Sequence, residues 1–164
     1  MDQSPDAETR LAAGDAAQDH RDELRLWLRL LTCTTLIETE VRSRLRTSFG
    51  VTLPRFDLMA QLEKAPQGLT LGELSRRMMV SNGNITGLVE RLVDSGHIHR
   101  EAHPGDRRVA YVRLTEAGRA DFATMAAAHA VWIGELFASV PTGDQRTLLR
   151  LLGALKTSVR EHGT

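Results

Sequence analysis

The stretch from Thr70 to Thr115, TLGELSRRMMVSNGNITGLVERLVDSGHIHREAHPGDRRVAYVRLT, constrains the fold more than any other part of the chain. It opens on a capping box. The Thr70 hydroxyl is placed to accept from the amide of Glu73, and the Glu73 carboxylate to reach back. SNGNITGLVERLVDSG then predicts a second helix, with Ser81 or Asn82 as N-cap and Gly96 as its stop. Ile85, Leu88, Val89, Leu92 and Val93 recur at helical spacing and give that helix one apolar face. Its other face carries Asn82, Asn84, Thr86, Gly87, Glu90 and Arg91, mostly short side chains with hydrogen-bonding ends. Two alternating runs follow, His97 to His103 and Arg107 to Leu114, joined by the turn residues Pro104-Gly105-Asp106.

Helix, short turn, helix and basic hairpin follow the order of a winged helix-turn-helix, so the chain is read as a DNA-binding protein. A formal net charge of zero looks wrong for such a role until it is divided along the chain. Residues 1–40 hold nine acids against four arginines, a net of −5. Residues 41–113 hold twelve basic groups against seven acids, a net of +5, and residues 114–164 balance. The positive field is thus confined to the segment that carries the helices and hairpin, as a local electrostatic footprint requires. Its modest size predicts a dimer in which two such surfaces act together. A single cysteine excludes an internal disulfide. The N-terminus shows no basic-then-apolar signal pattern, and no apolar run approaches spanning length. A cytoplasmic protein without a membrane partner is the expectation.

Residues 1–20 are rich in Asp, Gln and Ala and show no clear apolar face, which predicts a flexible acidic tail. Residues 21–48 predict a long helix. Its first half is apolar nearly all round (Leu24, Leu26, Trp27, Leu28, Leu30, Leu31) and so must be covered on several sides. Its second half keeps a narrow stripe of Ile37, Val41, Leu45 and Phe49. Leu53-Pro54 starts another helix. Beyond the hairpin, Thr115 caps a helix to about Ser139 with Phe122, Met125, His129, Trp132 and Leu136 in one stripe. Pro141 breaks it, and Thr142 with Gln145 offers a further capping box before a last helix with Leu148, Leu152, Leu155 and Val159. The fold class expected is mainly α with a small β wing. A winged helix-turn-helix lobe at 50–114 joins a helical dimerisation region at 21–48 and 115–162.

With these parts in place, the chain resembles the MarR family of bacterial transcription regulators over roughly residues 21–160. The resemblance rests on TLPRFDLMAQL, on TLGELSRRMMVSNGNITGLVERLVDSGHI and above all on the wing motif GDRRVAYVRLTEAG, Gly105 to Gly118. It implies an obligate homodimer joined through the first and last two helices. It further implies an inverted-repeat operator on double-stranded DNA, and a small, often aromatic effector that releases a repressor. LRLWLRLLTC and MMVSNGN are similar to the branch that controls aromatic-acid catabolism, which points to an aromatic acid or its CoA thioester. Dimer symmetry places the half-sites about 34 Å apart.

The DNA contacts expected are Ser81, Asn82, Asn84, Thr86 and Arg91 on the recognition helix, since Asn and Ser read base edges and Arg reads guanine. Capping alone also explains Ser81 or Asn82. Gly87 departs from the family pattern, where a longer polar or basic side chain is common. Either fewer base contacts form or the backbone comes closer. Arg76 and Arg77 suit phosphate contact, and equally suit a helix C-terminus. In the wing, the resemblance has Asp106 orient Arg108 as Arg108 enters the minor groove, whose narrow form concentrates negative potential. Arg107, Arg100 and Arg113 are secondary phosphate candidates. Arg25, Trp27, Phe56, Met59, His129 and Trp132 are the candidates for an effector pocket, although a plain core or interface stripe has the same spacing.

The alternatives are a redox- or metal-responsive regulator of the same fold, or a winged-helix interaction adaptor. Cys33, mid-helix among leucines, is expected as a small buried residue. His97, His99 and His103 lie around the wing without an evident four-ligand set. An enzyme is not expected. Asp94, Ser95 and His97 are close in sequence, but a helix end and a strand start need not bring them together. No phosphate loop, HExxH or nucleophile elbow is present. No cofactor is expected.

Overall fold

The computed structural model describes residues 7–103 and 106–163, with side chains described from Arg21 onward except at residues 103 and 106–109. Residues 1–6 of the expected tail and the hairpin tip, Pro104-Gly105, lie outside the described residues. The chain divides into two compact units, Met1–Gly50 and Val51–Thr164.

The first unit is one helix, α1 (Ala7–Phe49). It begins well before Arg21, which corrects the expected extent of the tail. The added segment is rich in Ala, the residue with the highest intrinsic helix propensity. Along α1, Thr32, Thr35, Thr39 and Thr47 donate their hydroxyls to carbonyls one turn back. Arg25 pairs with Asp22 at 3.2 Å and Arg44 with Glu40 at 2.7 Å. Val41 and Leu45 are buried. Leu24, Leu26, Trp27, Leu28 and Leu31 are all exposed. Cys33 is exposed as well, rather than buried.

The second unit runs α2 (Leu53–Glu63), β1 (Leu69–Thr70), α3 (Leu71–Met78), α4 (Asn82–Asp94), β2 (Ile98–His103), β3 (Asp106–Leu114), α5 (Glu116–Phe137) and α6 (Thr142–His162). The sheet is antiparallel in the order β1-β3-β2. Ile98 faces Leu114 and Glu101 faces Tyr111, with an irregularity between Ala102 and His103. β1, which the sequence pattern did not suggest, pairs Leu69 with Val112 and Thr70 with Tyr111. Leu58, Met59, Leu62, Leu74, Ile85, Val89, Leu92, Val112 and Leu114 are fully buried and form the core of this unit. Full burial of each such side chain contributes about 1.5–3 kcal/mol.

The approach of α5 is set by one residue. A Cβ at Gly118 would sit 1.9 Å from the carbonyl oxygen of His97, so only glycine fits there. Thr115 caps α5 by accepting from the Gly118 amide at 3.0 Å, and its own hydroxyl donates to the Gly96 carbonyl at 2.7 Å. The expected capping box at the start of α6 does not form. Pro141 is the N-cap, and the Gln145 amide nitrogen instead donates to the carbonyls of Phe137 and Val140. Gln145 therefore closes the end of α5. α6 leaves α5 at 106° and has no buried residue. Leu148, Leu149, Leu151, Leu152, Leu155 and Val159 lie exposed along it.

Candidate nucleic-acid interface

α3 and α4 form the helix-turn-helix. At the start of α3 the capping box is complete. Glu73 donates its amide to Thr70 Oγ1 at 3.2 Å, and the Glu73 carboxylate accepts from the Thr70 amide at 2.8 Å. These bonds, first the backbone one and then the hydroxyl of Thr70, hold the Glu73 carboxyl below the ordinary carboxylate range. Arg77 and Arg76 add to that effect from the last turn of α3. Both arginines are exposed there.

Ser81 is the N-cap of α4, with its hydroxyl 3.4 Å from the Asn84 amide. Asn82 is the first helical residue. That decides between the two capping candidates. Asn82 and Asn84 are exposed, and Thr86 donates its hydroxyl to the Asn82 carbonyl at 2.9 Å while keeping its lone pairs. Arg91 is exposed, and its Nη1 lies 3.8 Å from where a Cβ on Gly87 would stand. The absent side chain at Gly87 thus leaves the guanidinium room to lie back along the helix. Ile85, Leu88, Val89 and Leu92 are buried, so the core takes one face of α4 and leaves the polar face outward.

β2 and β3 form the wing. The side chains of Asp106, Arg107 and Arg108 lie outside the described residues. Arg100 is exposed. Arg113 is committed within the fold instead: its Nε donates to the Gln67 carbonyl at 2.9 Å, and its Nη1 pairs with Glu101 at 2.9 Å.

One polar cluster is absent from the sequence reading. Ser95 and His97 do meet, with Ser95 Oγ 2.8 Å from His97 Nδ1. Asp94 is not the third member. Asp121 of α5 is, at 2.8 Å from His97 Nε2, and Arg55 of α2 brings its Nη2 to 3.0 Å from His97 Nδ1 and 3.1 Å from Ser95 Oγ. An arginine only donates, so His97 Nδ1 accepts and Nε2 carries the proton toward Asp121. The Ser–His–Asp identity is that of a hydrolase, but the wiring is that of a fastener joining α2, the turn between α4 and β2, and α5.

Of the pocket candidates, Met59 is fully buried and Phe56 is buried with its ring 5.4 Å from Phe122 and 5.0 Å from His129. Burial holds His129 below the ordinary imidazole value. Trp132 is half-buried, while Trp27 is 57% exposed.

A three-helix lobe with a polar-faced third helix and a basic hairpin defines a winged helix-turn-helix regulator. The sequence profile of the MarR family matches residues 49–109. A MarR family transcriptional regulator from Silicibacter pomeroyi superposes with a TM-score of 0.74 at 31% identity, over 86% of this chain and 97% of that one. The transcriptional activatory protein BadR of Rhodopseudomonas palustris is 32% identical over 117 residues, 69% of this chain. The matched stretch spans 66% of BadR's length, and 56% of that of an uncharacterized helix-turn-helix regulator, YkoM, from Bacillus subtilis. A MarR family regulator from Streptomyces coelicolor, solved in complex with DNA, shares the fold at a TM-score of 0.74 and 20% identity, covering 85% of this chain and 88% of that one. The chain belongs to the MarR family of transcription regulators, which are not enzymes.

Proposed function

We propose that the chain acts as a cytoplasmic homodimer that binds an inverted-repeat operator and represses transcription until a small ligand releases it. The observation that carries the dimer is the exposed apolar face of α6; the first half of α1 separately carries exposed leucines. An exposed apolar helix face of this kind marks an interaction site. In this reading residues 21–48 and 115–162 join the two copies, and residues 50–114 of each copy meet DNA. α4 enters the major groove, with Asn82, Asn84, Thr86 and Arg91 toward base edges and Ser81 held to capping. Arg76 and Arg77 contact phosphate. Asp106 orients Arg108 into the minor groove beside Arg107.

The effector is an aromatic acid or its CoA thioester. Support comes from the sequence resemblance, from the exposed Arg25 and Trp27 on α1, and separately from His129 and Trp132 on α5. Activation is the second reading, favoured by the likeness to BadR, a transcriptional activatory protein.

A mobility-shift assay on the DNA flanking the chain's own gene tests the proposal, with free aromatic acid and CoA thioester added in turn. A shifted complex that dissolves with one ligand is expected. DNA that stays unshifted at micromolar protein and low salt would refute it.

A further inference from the structure

The turn between α3 and α4 presents a side chain that the fold does not use. Met79 is 92% exposed, more than any other exposed large hydrophobic among the described residues. Its φ is +55°, in the left-handed region where a residue with a Cβ is strained and glycine is not. No packing offsets that strain. The turn is nevertheless held firmly: the Val80 amide donates to the Ser75 carbonyl at 3.2 Å, and the Ser75 hydroxyl donates to the Val80 carbonyl at 2.6 Å. Val80 is itself exposed. Beside this turn lies a cleft of about 330 Å³, lined by Pro54, Met78 and Val80 on one side and by Gly83, Gly87 and Arg91 of α4 on the other. An apolar lip held by these bonds thus stands immediately before the N-terminus of the recognition helix, with Arg76 and Arg77 in the turn before it and Arg91 lining the adjoining cleft.

The occupant is set by that charge and that continuity. Arginines around an apolar centre, at the end of α4 aimed into the major groove, suit DNA. The apolar group that a base pair offers in the major groove is the 5-methyl of thymine. We propose that Met79, supported by Val80, reads a thymine methyl in each half-site. Methionine suits the task, being unbranched and polarisable. The turn holds the backbone in place, so binding has only the side chain left to order. The inference rests on the DNA-binding reading above.

The test starts from duplexes enriched by the wild-type chain from a random pool. Each dT of the selected site is replaced singly by dU, which lacks only the methyl, and affinity is read by fluorescence anisotropy. One position per half-site is expected to lose about fourfold, the factor for one buried methyl-sized group. Met79→Asn keeps a residue that tolerates the left-handed turn, and Met79→Gly relieves it, so both fold. Each is expected to bind the dT duplex about fourfold more weakly per half-site and to be indifferent to dU. Wild-type indifference to dU at every position overturns the inference alone, as does a Met79→Asn protein that keeps the preference for dT. A wild-type chain that enriches no duplex overturns the DNA-binding reading and this inference together.

Discussion

Two Gly→Ala substitutions in helices should move stability in opposite directions. At Gly118 the new Cβ would stand 1.9 Å from the His97 carbonyl oxygen, which belongs to the backbone and has no rotamer to escape into. Relieving the overlap requires α5 to withdraw from His97 by more than an ångström. That motion weakens the Thr115 amide bond to His97, now 3.0 Å, and the His97–Asp121 contact, now 2.8 Å. Overpacking against backbone with loss of such bonds costs about 3 kcal/mol. For a chain of this size that corresponds to a fall in Tm of roughly 6–12 °C. At Gly87 the same Cβ meets only the movable Arg91 guanidinium at 3.8 Å, an ordinary contact. There the gain is the helix propensity of alanine over glycine, about 1 kcal/mol. Urea unfolding of both variants at one fixed protein concentration measures the two effects. A Gly118→Ala protein within about 0.5 kcal/mol of wild type would refute the account of how α5 is seated.

Glu73→Ala should lose about 1 kcal/mol by opening the Thr70 capping box. Because Glu73 titrates below 4.5 in the fold, its contribution is fully present above that pH and fades as pH falls through the depressed value. Thermal melts from pH 6 to 3 should show a shallower acid limb in the variant. His129 has the opposite chemistry. Burial lowers its value from 6.5, so the unfolded chain takes the proton first as pH falls. Stability should decline below about pH 6.5 and level off under the folded value. His129→Phe should flatten that slope, and an unchanged slope removes the assignment. Leu149→Glu, at a site 75% exposed in one copy, should leave helix content intact yet yield monomers on sedimentation. A dimer as tight as wild type would exclude α6 from the interface. Arg108→Ala should weaken operator binding by about 1–3 kcal/mol with Tm nearly unchanged.

Local signals in this chain were legible and distant ones were not. The Thr70–Glu73 box and the Thr115 cap are each set by residues three apart, and both formed as read. The apolar stripe of α4 buried Ile85, Leu88, Val89 and Leu92 because a 3.6-residue period has one inward solution. β1 escaped notice because two residues carry no alternation, and its partner strand lies about forty positions away. The fastener around His97 was illegible for a similar reason. Ser95 and His97 are neighbours in sequence, but Arg55 and Asp121 reach them from 42 and 24 residues off. At Thr142 the pattern of a box was present, yet Gln145 found the open carbonyls at the end of α5 instead. The leucines of α1 are a further case: a stripe says which face must be covered, not what covers it.

In the proposed complex, two copies of the Thr70–Thr115 segment act together on DNA. Sedimentation of the chain with a selected inverted-repeat duplex, across a salt series, tests it most directly. Two chains per duplex are expected, with an affinity that falls steeply and log-linearly with salt. One chain per duplex, or binding indifferent to salt, would contradict it.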